Sequence, residues 1–259
     1  MAWDFDGAND NIIFSDNSTI NNATTLTSSI WVWNDALTAD MMVTNTKAAA
    51  GDGYLNYFDD TGSGSGRTDV FKIVVQDANG DNAQIEGATG SAKQDVWQNV
   101  LWAFNATSAT GLELWIDGVE DANSPVDVTS VNDLGQANAT NLRLGEETNG
   151  NRDRNGRLAE LAYWDVVLND SEKVALSKGI SPLLIRPSSL FFYVPLIGRY
   201  SPEPDIVGGD SGTVTGATAI QHPPMIYPTS KQMRRFDVAA AAATVVKDLL
   251  GGGIIPFAR

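Results

Sequence analysis

Residues 144–179, LGEETNGNRDRNGRLAELAYWDVVLNDSEKVALSKG, constrain the fold more than any other stretch of the chain. Their centre, 157–167, alternates with period two. Ala159, Leu161 and Tyr163 fall on one side, and Leu158, Glu160, Ala162 and Trp164 on the other. Apolar groups on both sides mark a central strand in a sheet covered on both faces. A helix-start signal follows at once: Asn169 as N-cap, with Glu172 three residues on as the return partner of a capping box. Lys173 and Lys178 lie towards the negative end of that helix, and Gly179 can take the left-handed position that ends it. A polar loop, a buried strand and one short capped helix are thus expected as a unit.

The rest of the first 200 residues reads as short strands between turn signals. Residues 2–5 and 12–14 are expected to pair around the turn 6–9, and 26–33 is a strong strand. Segments 41–45 and 54–58 follow, then 70–75 and 83–85 around Asn79-Gly80, a tight-hairpin dipeptide. Residues 96–104 place Val100, Trp102 and Phe104 inward, and 112–116 do the same with Leu112, Leu114 and Ile116. Leu142–Leu144 opens the central stretch, and 190–194 is expected to close the structure. The glycine/serine run 61–66 lacks phosphate-loop spacing and reads as a surface loop. This pattern predicts an all-β fold: an antiparallel two-sheet jelly-roll sandwich with one short helix.

Several of these words carry a family resemblance. LGEE (144–147), GRLAELAYWDVVLNDSE (156–172), VWQNVLWAF (96–104), LELWIDGVE (112–120) and FDGANDNIIF (5–14) stand in the order found in laminin-G-like and pentraxin-like jelly rolls. The chain resembles those concanavalin A-like domains over residues 1–200. The resemblance implies calcium binding by acids of an early loop and of the loop after LGEE, which fall on Asp52, Glu147, Asn149 and Asp153. Arg152, Arg154 and Arg157 stand among those acids, so ion pairing within the loop is the alternative. Relatives of the fold also include glycosidases with paired carboxylates, and the nearest counterparts here are Glu113 with Asp117, and Glu160 with Asp165. Such modules also occur in bacteriophage structural proteins.

The absence of cysteine excludes disulfides, thiolate nucleophiles and cysteine-based metal sites. His222 is the sole histidine, which leaves no histidine-cluster metal site, and a packing or surface role is expected for it. No acid–base pair is placed for hydrolysis, so no catalytic residue and no enzymatic activity are expected. No run is apolar and long enough for a membrane span, and the first residues lack the pattern of a signal peptide. The net charge is −15, and it is uneven: residues 1–180 carry 10 Lys/Arg against 27 Asp/Glu, and 181–259 carry 7 against 5. An acidic body of this kind does not bind nucleic acid phosphates electrostatically. Trp31, Trp33 and Trp115 are candidates for stacking on a glycan, with packing in the core or between subunits as the alternative.

After residue 200 the texture changes. Pro202, Pro204, Pro223, Pro224 and Pro228 argue against regular strands, and an alanine-rich run follows at 238–250. Val238, Val245, Leu249, Ile254, Ile255 and Phe257 are too apolar to leave in water. Residues 201–259 therefore read as an extended assembly arm with a short helix, docked on other virion protein subunits in a homo-oligomer. The function expected from the sequence is a non-enzymatic virion component, assembled in a host cytoplasm, such as a capsid decoration protein or a head or tail part. The alternative is a glycan-binding adhesion module.

Overall fold

The computed structural model describes residues 1–47, 51–61, 65–135, 141–147 and 150–228. The chain divides into one unit spanning Met1–Tyr227 and another spanning Pro228–Arg259, and the fold is that of the first. Its strands are β1 (Ala2–Asp6), β2 (Asn11–Phe14), β3 (Thr25–Asn34), β4 (Met41–Asn45), β5 (Gly53–Asp59), β6 (Val70–Gln76), β7 (Asn82–Glu86) and β8 (Trp97–Asn105). They continue as β9 (Leu112–Ile116), β10 (Val119–Glu120), β11 (Leu142–Leu144), β12 (Asn155–Trp164), β13 (Leu190–Val194), β14 (Glu203–Pro204), β15 (Ser211–Thr215) and β16 (Thr218–Ile220). Two helices, α1 (Ser18–Asn21) and α2 (Asp170–Ser177), and a 3-10 turn at Pro182–Leu184 complete the elements.

The strands form two eight-stranded sheets, and the pairings within them are antiparallel. Sheet I has the order β10-β9-β8-β3-β12-β1-β16, with β13 beside β12; sheet II has the order β14-β15-β2-β11-β4-β5-β6-β7. Period-two alternation turns one side of each sheet towards the other. Phe5, Ile30, Val32, Val100, Trp102, Phe104 and Leu161 from sheet I meet Ile12, Phe14, Tyr54, Phe58, Phe71 and Ile73 from sheet II. The outer side of sheet I carries a second apolar layer, where Trp164, Leu168, Ile185, Leu190 and Tyr193 pack with Leu176 of α2. The capping box at α2 forms as expected. The Asn169 side chain accepts from the Glu172 N–H, and the Glu172 carboxylate accepts from the Asn169 N–H.

Three expectations are corrected. First, β1 and β2 do not pair with each other. They lie in different sheets, because the segment between them crosses from one layer to the other. Second, β13 does not close the sandwich and the fold does not end at residue 200. β15 pairs with β2 in sheet II and β16 with β1 in sheet I, so residues 211–220 retrace the opening strands antiparallel to them. The prolines bracket this stretch rather than interrupt it: none stands between Asp205 and His222, and SGTVT is free to extend. The second crossing needs Gly216, whose φ is +75° and whose added Cβ would lie 1.7 Å from Asp10 Oδ1.

Third, the alternation of β12 slips by one residue. Leu158, Leu161 and Tyr163 all face the main core, while Ala159 joins an outer cluster with Ala2 and Trp31. The pairing with β3 shifts between Ala159 and Ala162, and Glu160 has φ +58°, so Glu160 is the extra residue of a β-bulge. On its other side β12 changes partner at the same place, pairing with β1 over 155–158 and with β13 over 161–164. The expected alanine-rich helix and the apolar residues Val238, Val245, Leu249, Ile254, Ile255 and Phe257 lie outside the described residues.

Candidate functional site

The registers of sheet I align one row of side chains on its outer face, away from the main core. Trp97 of β8 stands opposite Trp33 of β3, Trp33 opposite Arg157 of β12, Arg157 opposite Asp4 of β1, and Asp4 opposite Thr218 of β16. Directly opposed residues share a face, so the row follows from backbone pairing alone. The first four are half-buried and Thr218 is exposed. Trp33 and Trp97 meet edge to face with ring centroids 5.9 Å apart. The Arg157 guanidinium lies 4.6 Å from the centre of the Trp33 ring. Its Nε is 3.4 Å from Asp4 Oδ1 and its Nη2 is 3.5 Å from Asp35 Oδ1.

Local structure fixes each member. Trp33 Nε1 donates to Asp35 Oδ1 at 2.7 Å, which sets the indole tilt. Gln94 Nε2 donates to the Asp35 carbonyl at 2.9 Å, tying the exposed 93–96 loop to the end of β3. Gly156 lets β12 approach: its φ is +143°, and a Cβ there would fall 2.1 Å from the Trp33 carbonyl oxygen. Beneath the row the wholly buried Arg154 donates from Nη2 to the Trp33 carbonyl at 2.9 Å and to Asn34 Oδ1 at 2.7 Å. Burial lowers the Arg154 guanidinium to about 9, opposed by the charge of Asp35. Burial raises the Asp4 carboxyl, the nearby Asp35 raises it further, and Arg157 opposes both. Half-buried indoles beside carboxylates and a guanidinium can offer apolar ring surface and hydroxyl-accepting oxygens to one ligand.

Of the three tryptophans singled out in the sequence, only Trp33 belongs to this row. Trp31 is next on the same face, but it is 9% exposed under Ile220 and Met225. Trp115 is 7% exposed among the residues around α2, with the Lys173 ammonium 4.5 Å above its ring. Trp97, Asp4 and Asp35 were not singled out, and Arg157 was expected only as an ion-pair partner of the loop acids. Their signal was the strand register, which sequence periodicity does not supply.

The acids expected at a calcium loop lie beside sheet II. Glu147 Oε2 meets Arg152 Nη1 at 2.6 Å, and Arg152 also reaches Asp40 Oδ2 at 3.4 Å and stacks 4.6 Å over the Tyr57 ring. Lys47, its ammonium lowered by burial, has Glu147 and Asp52 as the neighbouring charges that oppose the shift. Asp52 and Glu147 both act on Lys47, and Glu147 also pairs with Arg152. Asp153 is half-buried, and Asn149 lies outside the described residues. A different trio, Asp40, Asp59 and Asp60, brings three carboxylates within 4.8 Å of one another. Lys72 Nζ stands 3.6 Å from Asp59 Oδ2 there.

Of the four acids nearest to a hydrolase pair, Glu113, Asp117 and Glu160 are held by structural partners and Asp165 is exposed. Glu113 accepts from Trp115 Nε1 at 3.1 Å and is paired with Lys173. Asp117 accepts from the Asn99 N–H at 2.9 Å in the β9–β10 turn. Glu160, 1% exposed, accepts from the hydroxyls of Tyr193 and Tyr227, each at 2.6 Å, with His222 Nε2 3.1 Å away. His222 thus has the packing role expected of it.

The family profile described as the concanavalin A-like lectin/glucanases superfamily matches residues 6–172, more than half of the chain. No curated protein matches by sequence. Among solved structures, a Bacteroides ovatus ATCC 8483 protein provisionally named a carbohydrate binding protein superposes with TM-score 0.63 at 18% identity. That match covers 87% of this chain, which spans 61% of the other. The heptameric SAP-like pentraxin of Limulus polyphemus gives TM-score 0.50 at 13% identity, over 68% of this chain and 81% of that one. The CBM40 domain of the Ruminococcus gnavus IT-sialidase, bound to α2,3 sialyllactose, gives TM-score 0.50 at 12% identity, over 68% and 95%. At these identities the likeness is one of fold.

Proposed function

Since this chain belongs to the concanavalin A-like lectin/glucanases superfamily, we propose that it is a non-catalytic carbohydrate-binding module whose ligand lies on the outer row of sheet I. The observation that carries the reading is the half-buried pair Trp33 and Trp97 flanked by Asp4, Asp35 and Arg157. A sugar ring has one apolar C–H face and a rim of hydroxyls, and this row pairs aromatic surface with carboxylate acceptors. Two of the fold neighbours point the same way, one by its provisional name and one by its bound sialyllactose. The commitment of Glu113, Asp117 and Glu160 to structural partners supports a binding role without catalysis.

The virion setting expected from the sequence rests on an acidic, cysteine-free jelly roll together with an apolar tail, and the tail residues 238–257 lie outside the described residues. The glycan reading stands without them. Calcium at Asp52 and Glu147 is a separate proposal, and the pairing of Glu147 with Arg152 weighs against it. A glycan microarray probed with the intact chain and with Trp97→Ala tests the main reading. Loss of one stacking partner worth about 1.5–2 kcal/mol is expected to weaken the best ligand about ten- to thirty-fold. Failure to bind any glycan, or equal binding by both proteins, would overturn it.

A further inference from the structure

The charges around the row go further than the reading just given, on which this inference rests: they specify the class of sugar. Recognition of an anionic sugar needs a cation with a free edge, ideally a guanidinium offering two parallel N–H donors. Arg157 is the only cation in the row, and two of its three nitrogens already face carboxylates. Its Nε faces Asp4 at 3.4 Å, its Nη2 faces Asp35 at 3.5 Å, and the guanidinium lies 4.6 Å from the centre of the Trp33 ring. Two carboxylates against one guanidinium leave the row net negative.

The surroundings deepen that balance. Asp6 is exposed two residues beyond Asp4 on β1, hence on the same face, and Asp95 is exposed beside the end of β3, its N–H donating to the Asn34 carbonyl at 2.9 Å. Lys93 adds the one positive charge of the 93–96 loop. Arg154 lies beneath the row, but it is 1% exposed and its Nη2 is spent on Trp33 and Asn34, so it meets no ligand.

We infer that the row binds uncharged sugar residues and rejects those bearing a carboxylate or sulfate. The acceptor oxygens of Asp4 and Asp35 take hydroxyl donors from a neutral ring, while an anionic group placed among them finds like charge. A carboxylate-bearing ligand gains the Nε and Nη2 donors of Arg157 only by displacing Asp4 or Asp35, and elsewhere in the row it meets their negative charge. The selectivity is thus set by what Arg157 is already holding.

The test uses neutral and anionic counterparts: α-1,4-galactotriose against trigalacturonate, which differ at C6 alone, and lactose against α2,3-sialyllactose, which adds a carboxylate-bearing residue. Each is titrated calorimetrically into the intact chain, Trp97→Ala and Asp35→Asn at low and at physiological salt. The neutral member of a bound pair is expected to bind about ten-fold more tightly, with the gap narrowing as salt screens the repulsion. Asp35→Asn should narrow it further by removing one of the two carboxylates beside Arg157. Tighter binding of the anionic member, abolished by Trp97→Ala, would overturn this inference while leaving the glycan-binding row in place. Binding unaffected by Trp97→Ala, or absent for all four sugars and across a wider neutral panel, would overturn the glycan-binding reading and this inference with it.

Discussion

Replacing Glu160 by alanine should be among the most damaging single changes in the sandwich. The carboxylate is 1% exposed and accepts hydroxyl hydrogen bonds of 2.6 Å from both Tyr193 and Tyr227. Burial, and next the adjacent Glu160 charge, push both phenols up, so both stay protonated as donors. A hydrogen bond to a charged group contributes about 1.5–3 kcal/mol net, and a stranded buried hydroxyl costs about 1–3 kcal/mol. Tyr193 is fully buried and would keep only Ser181 and Tyr227 beside its hydroxyl, whereas Tyr227, 44% exposed, can turn to water. Alanine keeps the left-handed backbone of the bulge, φ +58°, and so relieves none of its strain. The expected loss is about 3–5 kcal/mol for Glu160→Ala, about 2 for Tyr193→Phe and about 1 for Tyr227→Phe. Urea unfolding with an unchanged m-value measures all three. Protease should also cut the variant faster within 221–228, the segment that Tyr227 and His222 tie to Glu160. If Glu160→Ala unfolded within about 1 kcal/mol of the parent, the carboxylate would not be the anchor described.

Asp77 gives a pH signature. Burial raises its carboxyl, but the side-chain and backbone N–H groups of Asn132 and the backbone N–H groups of Asn79 and Asp81 outweigh that and hold it below the usual value. Its stabilisation is therefore present above the ordinary carboxylate range and lost as pH falls through the depressed value; Asp77→Asn should flatten the acid limb of melting temperature against pH, and an unchanged limb would refute the assignment. With Glu147 neutralised by Arg152, chelator should leave the melting temperature unchanged while Arg152→Gln lowers it; a chelator-sensitive melt lost in Glu147→Gln would restore the calcium proposal. Truncation after Gly198 removes β14 and β15 from sheet II and β16 from sheet I, and should abolish cooperative unfolding; a soluble fragment with a sharp transition would contradict the topology.

The sequence exposed the parts of the fold that are local. The α2 capping box was legible because Asn169 and Glu172 are three residues apart and their bonds are made within one turn. The strands around Trp102 and Leu114 were legible because alternation is read along a single segment. What stayed hidden depends on pairing between distant segments. The bulge at Glu160 breaks an alternation that looks perfect on paper, and it can be placed only once β12 has both β1 and β13 beside it. Strands β15 and β16 were masked by neighbouring prolines that fall outside them. The candidate row was the least legible part, since its members come from residues 4, 33, 97, 157 and 218 and meet only through register. Tryptophan content pointed to Trp33, but it could not separate that half-buried ring from Trp31 and Trp115, which the fold covers.

The central claim is that a glycan sits against Trp33 and Trp97. Indole N–H resonances report it directly, because each of the seven tryptophans gives its own signal. Titration with a bound neutral oligosaccharide should shift the Trp33 and Trp97 signals along saturable curves with one common dissociation constant. Trp102 and Trp164, fully buried inside and behind sheet I, should not move. Saturable binding that left the Trp33 and Trp97 signals in place would contradict the account and put the ligand on another face of the sandwich.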